Sequence, residues 1–457
     1  MLTTPRPARR AAPRRTAGRT ATRTTSRTAS RTDSRTRSGA RTASRSVAKP
    51  APPRSASLRT VADRAVATRP SRPGRVSTPA RTGAQGAKHV RTAAGGDDRP
   101  GGLYVLIGIV VVLNLVGLVM VLSASSILSL RQYKSPWHYF ERQVLWLTFG
   151  TVVFVVVSRI DPARWRRFAR PAMMLSVVGL LAVLVPGIGR SSRGASRWIG
   201  AASLQIQPSE IAKLTLILFA ADVLDRRGDE RNWRYAMVPV ICAFLAVAGL
   251  VIKQPDMGTT LVLACIALAM LFTAGIPARP LAGIFGTGVG LALLLAVAAP
   301  YRWRRLTSFL HPLADKGNAG YQAVQGLAGL SHGSILGTGI GASIATWGYL
   351  PNAQTDFIFA VIGEETGLLG TFAVTALFAA MAVVGIRVAC RARSRYDAML
   401  VAGVTAWIVG QAVINIGAVI GLLPVTGVPL PFVSFGGSSL VLAMFAVGMV
   451  ADVARRS

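Results

Sequence analysis

The sequence predicts an all-α polytopic membrane protein: ten transmembrane helices, both termini cytoplasmic, preceded by a disordered basic tail. Three observations predict it. Apolar residues gather into runs long enough to cross a bilayer, arginines gather in alternate short connections between those runs, and the first hundred residues cannot build a core. The 457 residues are 51% hydrophobic yet carry a formal charge of +34, and both hold because the two kinds of residue are segregated along the chain.

Residues 1–100 contain 24 Lys and Arg against four Asp (Asp33, Asp63, Asp97, Asp98), a net +20, and no Phe, Trp or Tyr. A segment of Arg, Thr, Ser, Ala and Pro without aromatic residues buries too little surface to offset its ordering entropy, so it is expected to be disordered. It is not a secretory signal, because its basic stretch is far too long and no short apolar core with a small-residue cleavage site follows. The remaining 357 residues carry 28 basic and 14 acidic side chains, a net +14.

A bilayer core needs about 20 apolar residues per helix. Such runs fall near 103–128, 143–158, 171–188, 208–224, 235–252, 257–275, 281–300, 357–386, 398–423 and 436–453. The fourth is the least regular, with Glu210 and Lys213 in its first turns. The chain therefore divides into a tail (1–100) and a ten-helix membrane domain (101–457) whose largest connection is an extracellular loop at about 301–356.

Orientation follows from basic residues in short loops. The 159–170 connection has five Arg, 225–234 has four, 387–397 has four, and Arg455 and Arg456 follow the last run. With ten spans all of these lie on one face together with the tail, which places both termini in the cytoplasm. Arg190, Arg193 and Arg197, and Arg302, Arg304, Arg305 and Lys316, break the rule. Two readings stay open for them: snorkelling side chains at helix ends, or positive charge that meets an anionic substrate on the outer face.

An ionisable residue within a span is a functional candidate by default. Glu210 and Lys213, Lys253 and Asp256, Asp356, and Glu364 and Glu365 gather at outer helix ends. Glu210 and Lys213 share a helix face at i and i+3, so a structural ion pair competes with a functional role. Asp356, directly before an apolar run, can act as a helix cap. Glu364 lies eight residues further on, about 12 Å deeper by helical rise, where capping does not explain it. Asp315 sits among small residues in the long outer loop, where a solvated surface carboxylate is the plain alternative to catalysis. Cys242, Cys265 and Cys390 show neither metal-ligand spacing nor a disulfide pattern and are expected to be packing residues.

Five ordered segments carry a resemblance. GASRWIG (194–200) with QPSEIAK (207–213), QPDMGTT (254–260), YRWRRLTSFLHPLADKGNAGYQ (301–322), TDFIFAVIGEETG (355–367) and NIGAVIGLLPVTGVPLPFVSFGGSS (415–439) resemble motifs of the SEDS (shape, elongation, division, sporulation) peptidoglycan glycosyltransferases. Single short matches are weak, whereas five in order on a ten-span frame are specific. YRWRRLTSF is more like division members than elongation members. The resemblance does not reach residues 1–100.

The resemblance implies polymerisation of lipid II at the outer face of the cytoplasmic membrane, at the division septum, with release of undecaprenyl pyrophosphate. It implies that Asp315, placed by Gly320, Tyr321 and Gln322, is the essential carboxylate; a general base of this kind would take the proton of the attacking sugar hydroxyl. It implies substrate contacts from Arg193, Arg197, Trp198, Lys213, Asp256, Arg304, Gln322, Asp356 and Ser438, with Glu210, Glu364 and Asn415 in support. Positive charge must balance the pyrophosphate, from arginine or from a divalent cation such as Mg or Mn, with no permanently bound cofactor. The implied partners are a class B penicillin-binding protein transpeptidase and other division proteins, the latter through the basic tail, with no specific nucleic acid. Two positions depart from the family pattern: Gln354 where His is usual before Thr-Asp-Phe, and Phe435 where Tyr, Ser or Ala is usual before Gly-Gly. A lipid-linked sugar transporter and a non-catalytic division scaffold are the competing readings; a transporter would favour inverted repeats and broken helices, and no internal repeat is evident.

Overall fold

The computed structural model describes residues 101–187, 189–192, 195–201, 204–228, 233–297, 303 and 319–457. The tail read above as disordered lies outside the described residues, as do Arg193, Arg302, Arg304, Arg305, Asp315 and Lys316.

Among the described residues the chain forms α1 (Gly101–Tyr133), α2 (His138–Val157), α3 (Pro162–Arg166), α4 (Ala169–Leu184), α5 (Pro208–Arg226), α6 (Trp233–Lys253), α7 (Met257–Thr273), α8 (Ala278–Val297), α9 (Ala319–Gly333), α10 (Ile358–Arg391), α11 (Arg395–Val419) and α12 (Gly437–Arg456). Each apolar run noted in the sequence falls on one helix; α3 and α9 are additional. Six helices (α1, α2, α6, α10, α11 and α12) are long and apolar enough to cross a membrane, and α4 and α7 are shorter apolar helices. The architecture is that of a polytopic membrane protein.

The fourth run, irregular in sequence, becomes the most enclosed helix. Nearly every residue of α5 from Pro208 to Leu224 is buried, including Glu210, Lys213 and Asp222, with Leu216, Ile217, Ala220 and Leu224 at 0% exposure. A helix enclosed on all sides needs no amphipathic stripe, and its charged residues persist because each is paired. At the far edge α12 packs chiefly against α2, laying Gly437, Met444 and Gly448 on Trp146, Gly150 and Val157.

The arginine-rich connections do meet at one end of the bundle. Arg166 bridges Asp222 (2.6 Å) and Asp225 (2.7 Å), and Arg226 reaches Asp222 at 2.6 Å. Arg456 joins Asp452 (2.6 Å) to Asp161 (3.1 Å), while Arg395 donates to the carbonyls of Gly228 and Ala274 at 2.9 Å. Asp222 and Asp452, buried at this end, were not among the sequence candidates.

The opposite end holds the irregular structure. Strands β1 (Arg190–Ser192), β2 (Ala195–Ala201) and β3 (Leu204–Ile206) form an antiparallel sheet in that order, with Arg190 opposite Trp198 and Ile199 opposite Ile206. The loop expected at 301–356 contains α9 and a short 3₁₀ helix (Ala345–Trp347).

α10 is broken. Gly367 has φ 68° and ψ −162°, outside the helical region, and a left-handed φ of this kind is readily adopted by glycine alone. The segment after α9 fills the break: Thr338 N and Gly339 N donate to the carbonyls of Glu364 and Glu365 (2.9 and 3.0 Å), and Leu368 N and Leu369 N donate to those of Ser334 and Ile335 (3.0 and 3.4 Å). The backbone groups freed at the break therefore find partners within the protein. Of the cysteines, Cys242 and Cys390 are exposed and Cys265 is half-buried. Cys265 packs against the core as expected, whereas Cys242 and Cys390 do not.

Candidate functional site

At the sheet end, three sequence-distant motifs converge on one element, the extended segment 424–435 between α11 and α12. Its sequence, rich in proline and glycine, cannot continue a helix, and Val428, Leu430, Phe432 and Val433 are buried. Side chains of the surrounding helices therefore take up its main-chain polar groups.

The first group is built on α5 and α11. Lys213 Nζ lies 2.8 Å from Glu210 Oε1 and 2.7 Å from Gln411 Oε1, and 4.9 Å from the centre of the Trp407 ring. The i, i+3 pair anticipated from spacing forms, with Lys213 at 0% and Glu210 at 3% exposure, deeper than a position at the helix end suggests. Gln411 Nε2 passes the network on by donating to the Pro429 carbonyl (2.9 Å). Among the described residues Glu210 Oε2 has no hydrogen-bond partner, and Glu210 lines a small cavity with Trp407, Pro429, Leu430, Phe432 and Ser434.

The second group is built where α6 turns into α7. Asp256 is the N-cap of α7, accepting from Thr259 N (3.1 Å) and Thr259 Oγ1 (2.9 Å), and Gln207 Nε2 donates to it at 3.3 Å. Arg197, from β2, donates to the carbonyls of Gln254 (3.1 Å) and Pro255, and its Nη1 lies 3.9 Å from Asp256 Oδ2. The cationic partner of Asp256 is thus Arg197; Lys253, its sequence neighbour, is exposed. Gly258 in the next turn backs onto the extended segment, where an added Cβ would stand 2.2 Å from Val428 Cγ2.

The third group flanks the same segment. Asn415 Nδ2 donates to the carbonyls of Asp356 and Val428, both at 2.7 Å. The capping position of α10 falls on Phe357, one residue after Asp356, and Asp356 Oδ2 lies 3.5 Å from the Cβ position of Gly427. Ser434 Oγ donates to the Thr355 carbonyl at 2.6 Å. Gln354 and Phe435, the two departures from the family pattern, meet here: Phe435 N donates to the Gln354 carbonyl (3.0 Å), and the Phe435 ring stands edge-on to Tyr139 at 5.1 Å.

Other candidates are placed as follows. Trp198 lies on β2, half-buried, and Gln322 is in the first turn of α9, also half-buried. Ser438, in the first turn of α12, is buried and its Oγ makes no hydrogen bond among the described residues. Glu364 belongs to a separate cluster, accepting from Ser343 Oγ, Ile344 N (2.9 Å) and Ala345 N (3.3 Å), with His332 Nδ1 at 3.4 Å. A carboxylate on a helix interior therefore does act as a cap, for the turn of another segment. Arg193, Arg304 and Asp315 lie outside the described residues. Among the described residues no group of three or more His, Cys, Asp or Glu stands together as a metal site.

Residues 104–457 match the family model of the FtsW/RodA/SpoVE cell cycle proteins. The chain is 40% identical over 353 residues to a probable peptidoglycan glycosyltransferase FtsW of Mycobacterium tuberculosis, covering 77% of this chain and 67% of that protein. It is 36% identical over 355 residues to stage V sporulation protein E of Bacillus subtilis, covering 77% and 96%. Among solved structures it is similar to a chain of a peptidoglycan synthase complex described as coordinating polymerization and crosslinking, with TM-score 0.62, 29% identity and coverage of 78% and 97%. It is likewise similar to the rod shape determining protein RodA of Thermus thermophilus, with TM-score 0.57, 28% identity and coverage of 77% and 95%. The fold is RodA-like, and the chain belongs to the FtsW/RodA/SpoVE family of cell cycle proteins.

Proposed function

We propose that this protein is a peptidoglycan glycosyltransferase that polymerises lipid II at the outer face of the cytoplasmic membrane during cell division. The observation that carries the reading is the meeting of the 207–213, 254–260 and 355–367 motifs around the buried extended segment of the 415–439 motif, with Arg197 of the 194–200 motif clasping the 254–256 turn, at the end opposite the arginine-rich connections. On this reading ten helices span the bilayer, the arginine-rich end and both termini are cytoplasmic, and the sheet end faces outward. The relatives named FtsW favour the division role and the septum. The described chemistry at that end suits an anionic lipid-linked sugar: Arg197 supplies positive charge beside Asp256, Lys213 and Asp356 are further contacts, and Asn415, Glu210 and Gln411 hold the framework still. Trp198, Gln322 and Ser438 complete the substrate contacts, with Arg193 and Arg304 from the outer loops.

Asp315 is assigned as general base. It takes the proton of the acceptor hydroxyl as that oxygen bonds to the anomeric carbon and the bond to pyrophosphate breaks. Arginine charge offsets the leaving group. No resident cofactor is part of this reading; a Mg or Mn ion accompanying the pyrophosphate would add positive charge there. The neighbouring structure titled for coordinated polymerization and crosslinking supports a transpeptidase partner of the class B penicillin-binding type. The +20 tail suits acidic division proteins or the anionic inner leaflet. The break at Gly367 is the one observation that favours a transporter, yet its freed groups are occupied by residues 334–339.

The test is glycan polymerisation from lipid II by the purified protein with its transpeptidase. Asp315→Asn should lower the rate by roughly 10²–10⁴-fold, the usual contribution of a general base, with partner binding unchanged. A wild-type rate would remove Asp315 from the chemistry. Wild-type protein that translocates lipid II without polymerising it would support the transporter instead.

A further inference from the structure

The segment that fills the break in α10 is unlike an aqueous loop. Residues 333–355 contain no charged side chain, whereas the preceding stretch 302–316 has Arg302, Arg304, Arg305, Asp315 and Lys316. Ala345, Leu350 and Ala353 reach the core, but its larger aliphatic side chains before residue 345 do not. Leu336 is 79% and Ile340 68% exposed, and Ile335 and Ile344 are exposed beside them. This face continues onto Leu368, Leu369 and Phe372 of α10, which are exposed in the same way.

Depth can be read along α1. Glu365 accepts from Ser123 Oγ of α1, and its carbonyl accepts from Gly339 N. Nine residues later, Gly348 comes beside Arg131 of α1, whose Nη1 lies 3.4 Å from the glycine's Cβ position. Ser123 and Arg131 are eight residues apart, about 12 Å of helical rise. The segment therefore climbs about 12 Å along α1, most of one leaflet's roughly 15 Å of hydrocarbon. Trp347 and Tyr349, both exposed, stand at its upper end beside Arg131, as aromatic residues do at a membrane interface. Non-helical backbone can lie at such depth only where its polar groups are satisfied by protein. Here the break in α10 and the Glu364 carboxylate receive four of its amide groups, from Thr338, Gly339, Ile344 and Ala345, and the hydroxyl of Ser343.

We propose that residues 334–349 form a re-entrant element immersed in the outer leaflet, with phospholipid acyl chains covering Ile335, Leu336, Ile340 and Ile344 and with Trp347 and Tyr349 at headgroup level. The element closes the lipid side of the Glu364–Glu365 pair, which keeps two carboxylates from meeting hydrocarbon. The inference rests on the spanning assignment above and not on the catalytic one.

The experiment places a nitroxide label at Leu336→Cys or Ile340→Cys in the full chain, with Cys242, Cys265 and Cys390 replaced by Ser, reconstituted in phosphatidylcholine–phosphatidylglycerol bilayers. Collision with oxygen, which partitions into lipid, is compared with collision with a water-soluble nickel chelate. Leu369→Cys and Lys134→Cys supply the lipid and water references. Labels at 336 and 340 should match the Leu369 label, with oxygen collision several-fold favoured over nickel. Nickel collision as strong as at Lys134 for both, with Leu369 still lipid-exposed, overturns the re-entrant element alone. Nickel collision at Leu369 as well overturns the spanning assignment with it.

Discussion

Lys213 offers the sharpest test of how the buried network holds the extended segment. Its ammonium contacts Glu210 Oε1 at 2.8 Å, Gln411 Oε1 at 2.7 Å and the Trp407 ring at 4.9 Å, at 0% exposure. Lys213→Met keeps the volume and removes the cation. Among the described residues Glu210 Oε2 already lacks a partner, so the variant leaves a buried carboxylate with neither oxygen paired there. Breaking one side of a buried pair costs about 3–5 kcal/mol, whereas replacing both partners by apolar residues is often neutral or stabilising. The loss corresponds to a change of roughly a hundred-fold to several-thousand-fold in the folded-to-unfolded ratio. Lys213→Met and Glu210→Leu should each show such a loss, and the double variant should recover most of it. Unfolding in mixed dodecyl maltoside and SDS micelles, followed by tryptophan fluorescence, measures all four proteins. Single variants costing under about 1 kcal/mol, or a double variant at the sum of the singles, would mean that the pair is not closed off from water.

Three further outcomes are expected. Gly258→Ala puts a methyl group into Val428 and Thr426 and should cost about 1–3 kcal/mol as an overpacked contact, read in the same micelle assay; a neutral result would mean that the extended segment yields freely. Arg197→Lys cannot reproduce a fork that reaches two carbonyls and a carboxylate, so amide hydrogen exchange over residues 254–260 should speed up while the rest of the bundle is unchanged. At the arginine-rich end, the hydrogen bond donated by Ala163 N, with Arg456 alongside, holds Asp161 below the usual carboxylate range despite partial burial. A folded-state value below the unfolded one gives stability that is present above the unfolded pKa and is lost as pH falls through the folded one. The stability gap between wild type and Asp161→Asn should accordingly be constant near neutrality and close below about pH 4; a gap that widens on acidification would contradict the assignment.

Much of the bundle was legible because a run of about twenty apolar residues has few other uses. The Glu210–Lys213 pair was legible for a similar reason, since helical spacing alone puts i and i+3 together. What escaped were partners far apart in sequence. Nothing local ties Arg197 to the turn at Gln254 and Pro255, or Asn415 to Asp356. Asp222 and Asp452 were overlooked because each lies next to arginines that suggest a solvated face, yet both are buried. The sheet at 190–206 is too short for an alternating pattern to stand out, and the segment after α9 has the composition of a span without its length. Gln354 and Phe435 looked like independent departures; they share a backbone hydrogen bond.

The packing of α12 on α2 also bears on how the protein is made. About 300 residues separate the end of α2 from the end of α12, so at about 5–20 residues per second the ribosome needs roughly 15–60 s to deliver the second helix its main neighbour. Throughout that interval α2 has α1 beside it, but Gly150 and Val157 stand in the bilayer without the helix that covers them. Biogenesis therefore passes through a bundle with one wall missing, and a membrane insertase that shelters α2 until the last helix arrives would govern the yield of finished protein.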